Sequence, residues 1–169
     1  MKKGGRVMKR YCCGFAMDPT KSNVLLIKKK IPLWQEGKLN GIGGTIEKGK
    51  VEKEEMVREF YEETSLVTDS NSWRSFLRIS DINGAATVVF YYIIFDFAGV
   101  GSVETHEGTV KIYNVNSVIS MKPEKLVRNL KWLLLIVLDD SVNEILINHL
   151  YFDREVVIGR GSSGLSKRR

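Results

Sequence analysis

Glu52, Glu55, Glu59, Glu62 and Glu63 crowd into one short stretch of this 169-residue chain, shortly after a Gly43-Gly44 pair. On a helix advancing about 100° per residue, with Glu59 at zero, Glu62 falls at about 300° and Glu63 at about 40°. Glu55, at about 320°, and Glu52, at about 20°, complete an acidic stripe. Met56, Val57, Phe60 and Tyr61 fill the arc from about 60° to 200°, which makes them the packing face. Carboxylates gathered on one stripe repel unless positive charge sits among them. Lys48, Lys50, Lys53 and Arg58 could supply part of it, and the stripe would then be a solvated face. A hard divalent cation, Mg²⁺ or Mn²⁺, would supply it more fully, because such ions prefer oxygen ligands. A glycine-rich turn at a helix start also offers backbone N–H groups to phosphate oxygens. Metal-bound water beside a held diphosphate is what hydrolysis of a phosphoanhydride needs, together with a base.

The same stretch resembles the Nudix box, Gly-x5-Glu-x7-Arg-Glu-U-x-Glu-Glu-x-Gly-U, where U is a bulky aliphatic residue. Gly44 takes the first place, Arg58-Glu59 the central pair, Phe60 the first U, Glu62-Glu63 the second pair and Leu66 the last U. Two positions depart: Lys50 stands where the family has its first Glu, and Ser65 where it has its late Gly. Glu52 or Glu47 lies within a turn or two and could replace the missing charge. The resemblance implies metal ligation by Glu59, Glu62 and Glu63 with Gly44, and catalytic work by Glu62 and by Arg58, the latter as an orienting partner beside Glu62. Gly43 and Gly44 would contact substrate phosphates, and Lys28, within the cluster Lys28–Lys30, would grip or steer the anion. Glu107 looks like the distant glutamate that MutT-type members bring to the metals as an extra ligand or base. Glu104 is its competitor in the same loop; His106 reads as a solvated loop histidine.

For the nucleobase, Trp34-Gln-Glu-Gly-Lys-Leu-Asn-Gly-Ile-Gly-Gly is similar to the segment before the box in hydrolases acting on 8-oxo-dGTP. There an Asn, here Asn40, reaches the purine edge, and an amide can both donate and accept. Asn129 stands where bacterial MutT places a second base-reading Asn. Trp34 or Trp132 could stack on the base, although core packing is the commoner fate of tryptophan. The Trp-x-Asp-Asp pocket of the human enzyme is absent, as are the markers of ADP-ribose, dinucleoside polyphosphate, NADH and coenzyme A hydrolases. What remains is a MutT-like nucleoside triphosphate pyrophosphohydrolase. The alternatives are hydrolysis of capped RNA or ADP-ribose, a nucleotide-binding module disabled by Lys50, and a purely structural domain.

The elements that must position these residues follow from pattern. Strands are expected near Lys9–Met17, Asn23–Lys29, Trp73–Ile79, Ala86–Phe97 and Thr109–Val115, with a loop from Ile31 to Asn40. One helix carries the box to about Thr64. A second runs from Pro123, well placed for a first turn, to about Leu138. Val142–Leu150 is ambiguous and Tyr151–Ile158 reads as a late strand. Strands bracketing helices mean an α/β domain, which the resemblance sharpens to a Nudix-type α/β/α sandwich with a mixed sheet over residues 9–155. A basic segment at 1–8 and a basic, linker-like tail at 156–169 are expected to be flexible.

At 43% apolar residues the chain can bury a sizeable core, and its apolar runs are too short to span a membrane. The net charge of +6 is concentrated at the ends, where it usually marks solvated termini; nucleic acid is therefore a partner less favoured than a nucleotide. Cys12 and Cys13 are expected to be reduced thiols, which suits a cytoplasmic monomer or homodimer.

Overall fold

A computed structural model describes residues 8–81 and 85–150, leaving aside the side chains of 148–150. The expected flexible tail, the late strand at Tyr151–Ile158 and, apart from the exposed Met8, the expected flexible segment 1–8 lie outside the described residues.

The chain opens with β1 (Lys9–Met17) and β2 (Asn23–Lys29), at the expected bounds. Their side chains alternate between two sheet faces, as strand geometry requires. Phe15, Met17, Val24 and Leu26 enter one apolar cluster, while Cys12, Ala16, Leu25 and Ile27 enter the other. Cys12 and Cys13 thus point to opposite faces as free thiols. The expected loop at Ile31–Asn40 contains a 3₁₀ turn (Leu33–Gln35) and β3 (Leu39–Asn40), which pairs with β2. Next comes β4 (Thr45–Ile46), paired with β1 through Arg10↔Ile46 and Tyr11↔Thr45.

Helix α1 (Glu52–Thr64) begins with Glu52, Glu54 and Glu55 in its first turn, where acidic groups suit the helix dipole. It ends on Ser65 in the left-handed region, φ 59. Met56 and Phe60 are fully buried beneath it, but Tyr61 is exposed. The packing arc is therefore narrower than expected.

Then follow β5 (Arg74–Asp81), β6 (Ala86–Ile94), β7 (Val103–Glu104), β8 (Gly108–Asn114), α2 (Val115–Ser120), α3 (Leu130–Leu138) and β9 (Ile145–Leu150). The sheet order is β7-β8-β2-β1-β6-β5-β9. The β1/β6 and β5/β9 pairs are parallel and the others antiparallel, so the sheet is mixed. Helix α1 covers one face, and α2 with α3 covers the other. This is the expected α/β/α sandwich.

One expected helix is much shorter than its pattern. Pro123–Lys125 forms a separate 3₁₀ turn, and α3 starts only at Leu130. Between them Leu126 bridges Leu39, and the Val127 N–H donates to the Leu39 carbonyl at 3.0 Å. That pairing draws the segment out of helical geometry and carries Asn129 toward Asn40. The unforeseen α2 is capped by Asn114, whose side chain accepts the Ser117 N–H.

Candidate active site

The acidic stripe divides in two. At the start of α1, Glu52 is saturated: Arg78 donates to both its oxygens at 3.0 and 2.6 Å, Arg10 donates at 2.7 Å, and the Tyr91 hydroxyl lies at 3.5 Å. It pins α1 to β1, β5 and β6 and is no part of the cluster farther along. It cannot replace a carboxylate missing at Lys50.

Farther along, Arg58 fans across three carboxylates. It donates to Glu55 at 3.2 and 3.3 Å, to Glu59 at 2.6 Å and to Glu62 at 2.9 Å. Beyond its reach lies Glu63, only 4% exposed. Neither Glu63 oxygen is met by a donor among the described residues. Its nearest cation is Lys29, 3.9 Å away. Burial pushes the Glu63 carboxyl above its ordinary range; Lys29 opposes this, while Glu107 and Glu59 add to it. Two carboxylates side by side can bond only through a shared proton, so without one Glu63 and Glu107 repel. Glu59 is likewise raised, by burial first, with Arg58 opposing.

Gly44 lies directly on this cluster. A Cβ there would fall on the Glu59 carboxylate, and one on Gly43 would strike the β1 backbone at Cys12 and Cys13. The Gly44 carbonyl accepts the Cys12 N–H at 3.0 Å and, as a weak and displaceable contact, the Cys12 thiol at 3.8 Å. The glycine pair is not, as expected, at the helix start. The β4 pairing with β1 intervenes and sets it beside the second turn of α1 instead, so the helix N-terminus is not its phosphate cradle.

Two further residues arrive from the sheet. Glu107 stands between β7 and β8 and pairs with Lys29, whereas Glu104 pairs with Lys30 at 2.9 Å in the open and His106 is exposed. Lys28 does not reach the site. It lies on the strand face opposite Lys29 and is exposed, while Lys29 is buried at 7%. The strand's two-residue period fixes this, and both faces of β2 are apolar, so its phase was unreadable in sequence.

On the far side of the glycine pair is a cavity of about 220 Å³, lined among others by Tyr11, Lys29, Trp34, Asn40, Phe90 and Asn129. That is below the roughly 300–1,000 Å³ of ordinary ligand sites, so it suits one end of a ligand. Asn129 is 7% exposed and its Oδ1 has no partner among the described residues; the indole N–H of Trp34 is also buried and unpartnered there. Asn40 is partly committed: it donates to Gln35 at 3.1 Å and accepts the Gly41 N–H at 2.8 Å. Trp132 is 37% exposed on α3 and does not line the cavity. The unpartnered indole and the buried Lys29 are features that pattern alone missed.

No family model matches this sequence, and no curated protein matches it. Its backbone, however, is similar to several solved structures. One is a MutT protein of Bacillus halodurans, 17% identical over 82% of this chain and 86% of that one, with TM-score 0.61. A second is the Nudix domain of Shewanella oneidensis NrtR in complex with ADP-ribose, 14% identical over 84% and 94%, TM-score 0.66. A third is a Nudix hydrolase of Nitrosomonas europaea, 16% identical over 83% and 79%, TM-score 0.60. The fold is thus the Nudix α/β/α sandwich. No described helix is long and apolar enough to cross a membrane.

Among the described residues no three His, Cys, Asp or Glu side chains form a ready-made metal cage. Arg58 and Lys29 hold the carboxylates apart instead. The donor set nevertheless fits a hard divalent cation, because Glu63 is a buried carboxylate without a donor and its neighbours Glu59 and Glu107 are oxygen ligands of the same kind.

Proposed function

We propose that this chain is a Nudix pyrophosphohydrolase that cuts the phosphoanhydride of a nucleoside triphosphate, releasing a nucleoside monophosphate and pyrophosphate. The observation that carries this reading is the buried Glu63 carboxylate, without a donor among the described residues, next to Glu59 and Glu107; Glu59 lies against Gly44, and Lys29, 3.9 Å from Glu63, lines the cavity.

Glu59, Glu62 and Glu63, with the Gly44 carbonyl, would hold Mg²⁺ or Mn²⁺. Such an ion supplies charge to a diphosphate and acidifies bound water. Arg58 fixes Glu59 and Glu62 from one side of the helix. Lys29 brings its ammonium to the border between carboxylates and cavity, where it meets phosphate charge. Glu107 would accept the proton of the attacking water. Asn129 offers a carbonyl acceptor, Trp34 a donor and Asn40 its remaining amide valences to a nucleobase edge. An oxidised purine such as that of 8-oxo-dGTP presents both kinds of partner along one edge.

A second reading is a nucleotide-binding domain with weak turnover. The ADP-ribose complex of the similarly folded NrtR domain favours it, as would Lys50 if no other carboxylate did the work of the missing Glu. Pyrophosphate release with Mg²⁺ across dNTPs, 8-oxo-dGTP, ADP-ribose and capped RNA separates the two, with Glu62→Gln and Glu63→Gln as controls. Triphosphate turnover lost in both variants supports the hydrolase. Nucleotide binding with no turnover of any substrate supports the binding domain.

A further inference from the structure

Glu55 is the stripe carboxylate to which the proposed function gives no part. It sits in the first turn of α1 at 4% exposure, among the most buried charged groups described. Three donors converge on it: Nε of Arg58 at 3.3 Å, Nη2 of Arg58 at 3.2 Å, and the backbone N–H of Glu47 at 3.2 Å. The first two grip the guanidinium in its fork geometry, leaving the other edge of Arg58 to Glu62 and Glu59. The third ties α1 to the turn that follows β4, and so to the chain leading from Gly43-Gly44. The Lys50 ammonium adds a favourable field.

From this convergence we infer that Glu55 is the positioning residue of the site. It holds the glycine segment against α1 and sets the angle of Arg58, and Lys50 is therefore not a disabling departure. The inference rests on the hydrolase reading only for what the positioned groups do; the positioning itself does not depend on it. Glu47 and Glu52, the other candidates to cover for Lys50, are otherwise employed. The Glu47 side chain is exposed and only its backbone joins the network, while Glu52 is consumed by Arg10 and Arg78.

The test follows two sites in one set of proteins: wild type, Glu55→Ala, Glu55→Gln, Lys50→Glu and the Lys50→Glu/Glu55→Ala double variant. Amide exchange of Glu47 and the Arg58 Nε–H resonance report the positioning; Mn²⁺ titration reports its consequence. Removing the acceptor in Glu55→Ala should raise Glu47 exchange at least about tenfold and shift the Arg58 signal. Mn²⁺ affinity should fall about 10–100-fold, the usual penalty for losing an outer-shell partner. Glu55→Gln, which keeps size and one acceptor, should fall between and guards against a folding failure. Lys50→Glu should restore Mn²⁺ affinity in the Glu55→Ala background and change little alone. An ordinary helix ion pair would instead lower Tm and disturb Arg58 locally while leaving Mn²⁺ affinity unmoved and unaffected by Lys50→Glu, and that result overturns the inference. If wild type binds no Mn²⁺ while Glu47 and Arg58 respond as expected, the positioning stands and the hydrolase reading falls.

Discussion

Glu52 and Glu63 are the same residue type on the same helix, three turns apart, and their surroundings drive them in opposite directions. Glu52 receives Arg78 and Arg10, and the hydrogen bonds from Arg78, ahead of all other influences, hold its carboxyl at about 2. Glu63 receives no donor among the described residues, and burial pushes its carboxyl upward. A carboxylate with both oxygens taken up by arginines of other strands, as in Glu52, is structural. One buried without them is a standing destabilisation that folding alone does not explain, and such groups concentrate at functional sites. On the proposed function, the contrast would put the chemistry in the later turns of α1 and its anchorage in the first.

The largest break in this contrast should come from Glu63→Gln. Steady-state assays should show Mg²⁺-dependent turnover falling about 10²–10⁴-fold, the range for removing a group that acts on the reacting water. Tm without metal should nevertheless hold or rise, because the change removes a buried carboxylate whose nearest cation, Lys29, is 3.9 Å away and shared with Glu107.

Glu52→Gln should do the reverse. Denaturant unfolding should report a loss of about 2 kcal/mol, as for hydrogen bonds to a partly buried charge, with turnover far less affected. The sign of the pH dependence follows. A carboxyl ionised at about 2 when folded and at its ordinary 4.5 when unfolded stabilises the fold fully above 4.5. That contribution drains away as pH falls from 4.5 towards about 2. Wild-type acid unfolding in that window should be steeper than that of Glu52→Gln.

The contrast also explains what sequence alone could show. Spacing on one continuous helix brought Glu59, Glu62, Glu63 and Arg58 together without knowledge of the rest of the fold. It could not separate Glu52 from them, because Arg10 and Arg78 come from other strands. Nor could it choose Lys29 over Lys28, since Leu25 and Ile27 are as apolar as Val24 and Leu26. The cavity depends on the Leu39–Leu126 bridge, a pairing across most of the chain that no local pattern announces. The helix expected from Pro123 failed for the same reason: tertiary pairing outweighed helix propensity.

Smaller effects sharpen the picture. Asn129→Leu removes an acceptor from the cavity and should raise KM for the preferred nucleotide about tenfold with kcat little changed, as expected for loss of one hydrogen bond. Ser65 occupies a left-handed conformation at φ 59, so Ser65→Gly should stabilise the protein by up to about 1 kcal/mol, read as a rise in Tm with unchanged activity.

The most direct measurement is calorimetric titration of Mn²⁺ into wild type, Glu52→Gln and Glu63→Gln. Saturable binding that survives in Glu52→Gln and weakens at least about tenfold in Glu63→Gln is the predicted result. Equal binding by wild type and Glu63→Gln, or an equal loss in both variants, would contradict the division of α1 into an anchoring turn and a cation-binding one.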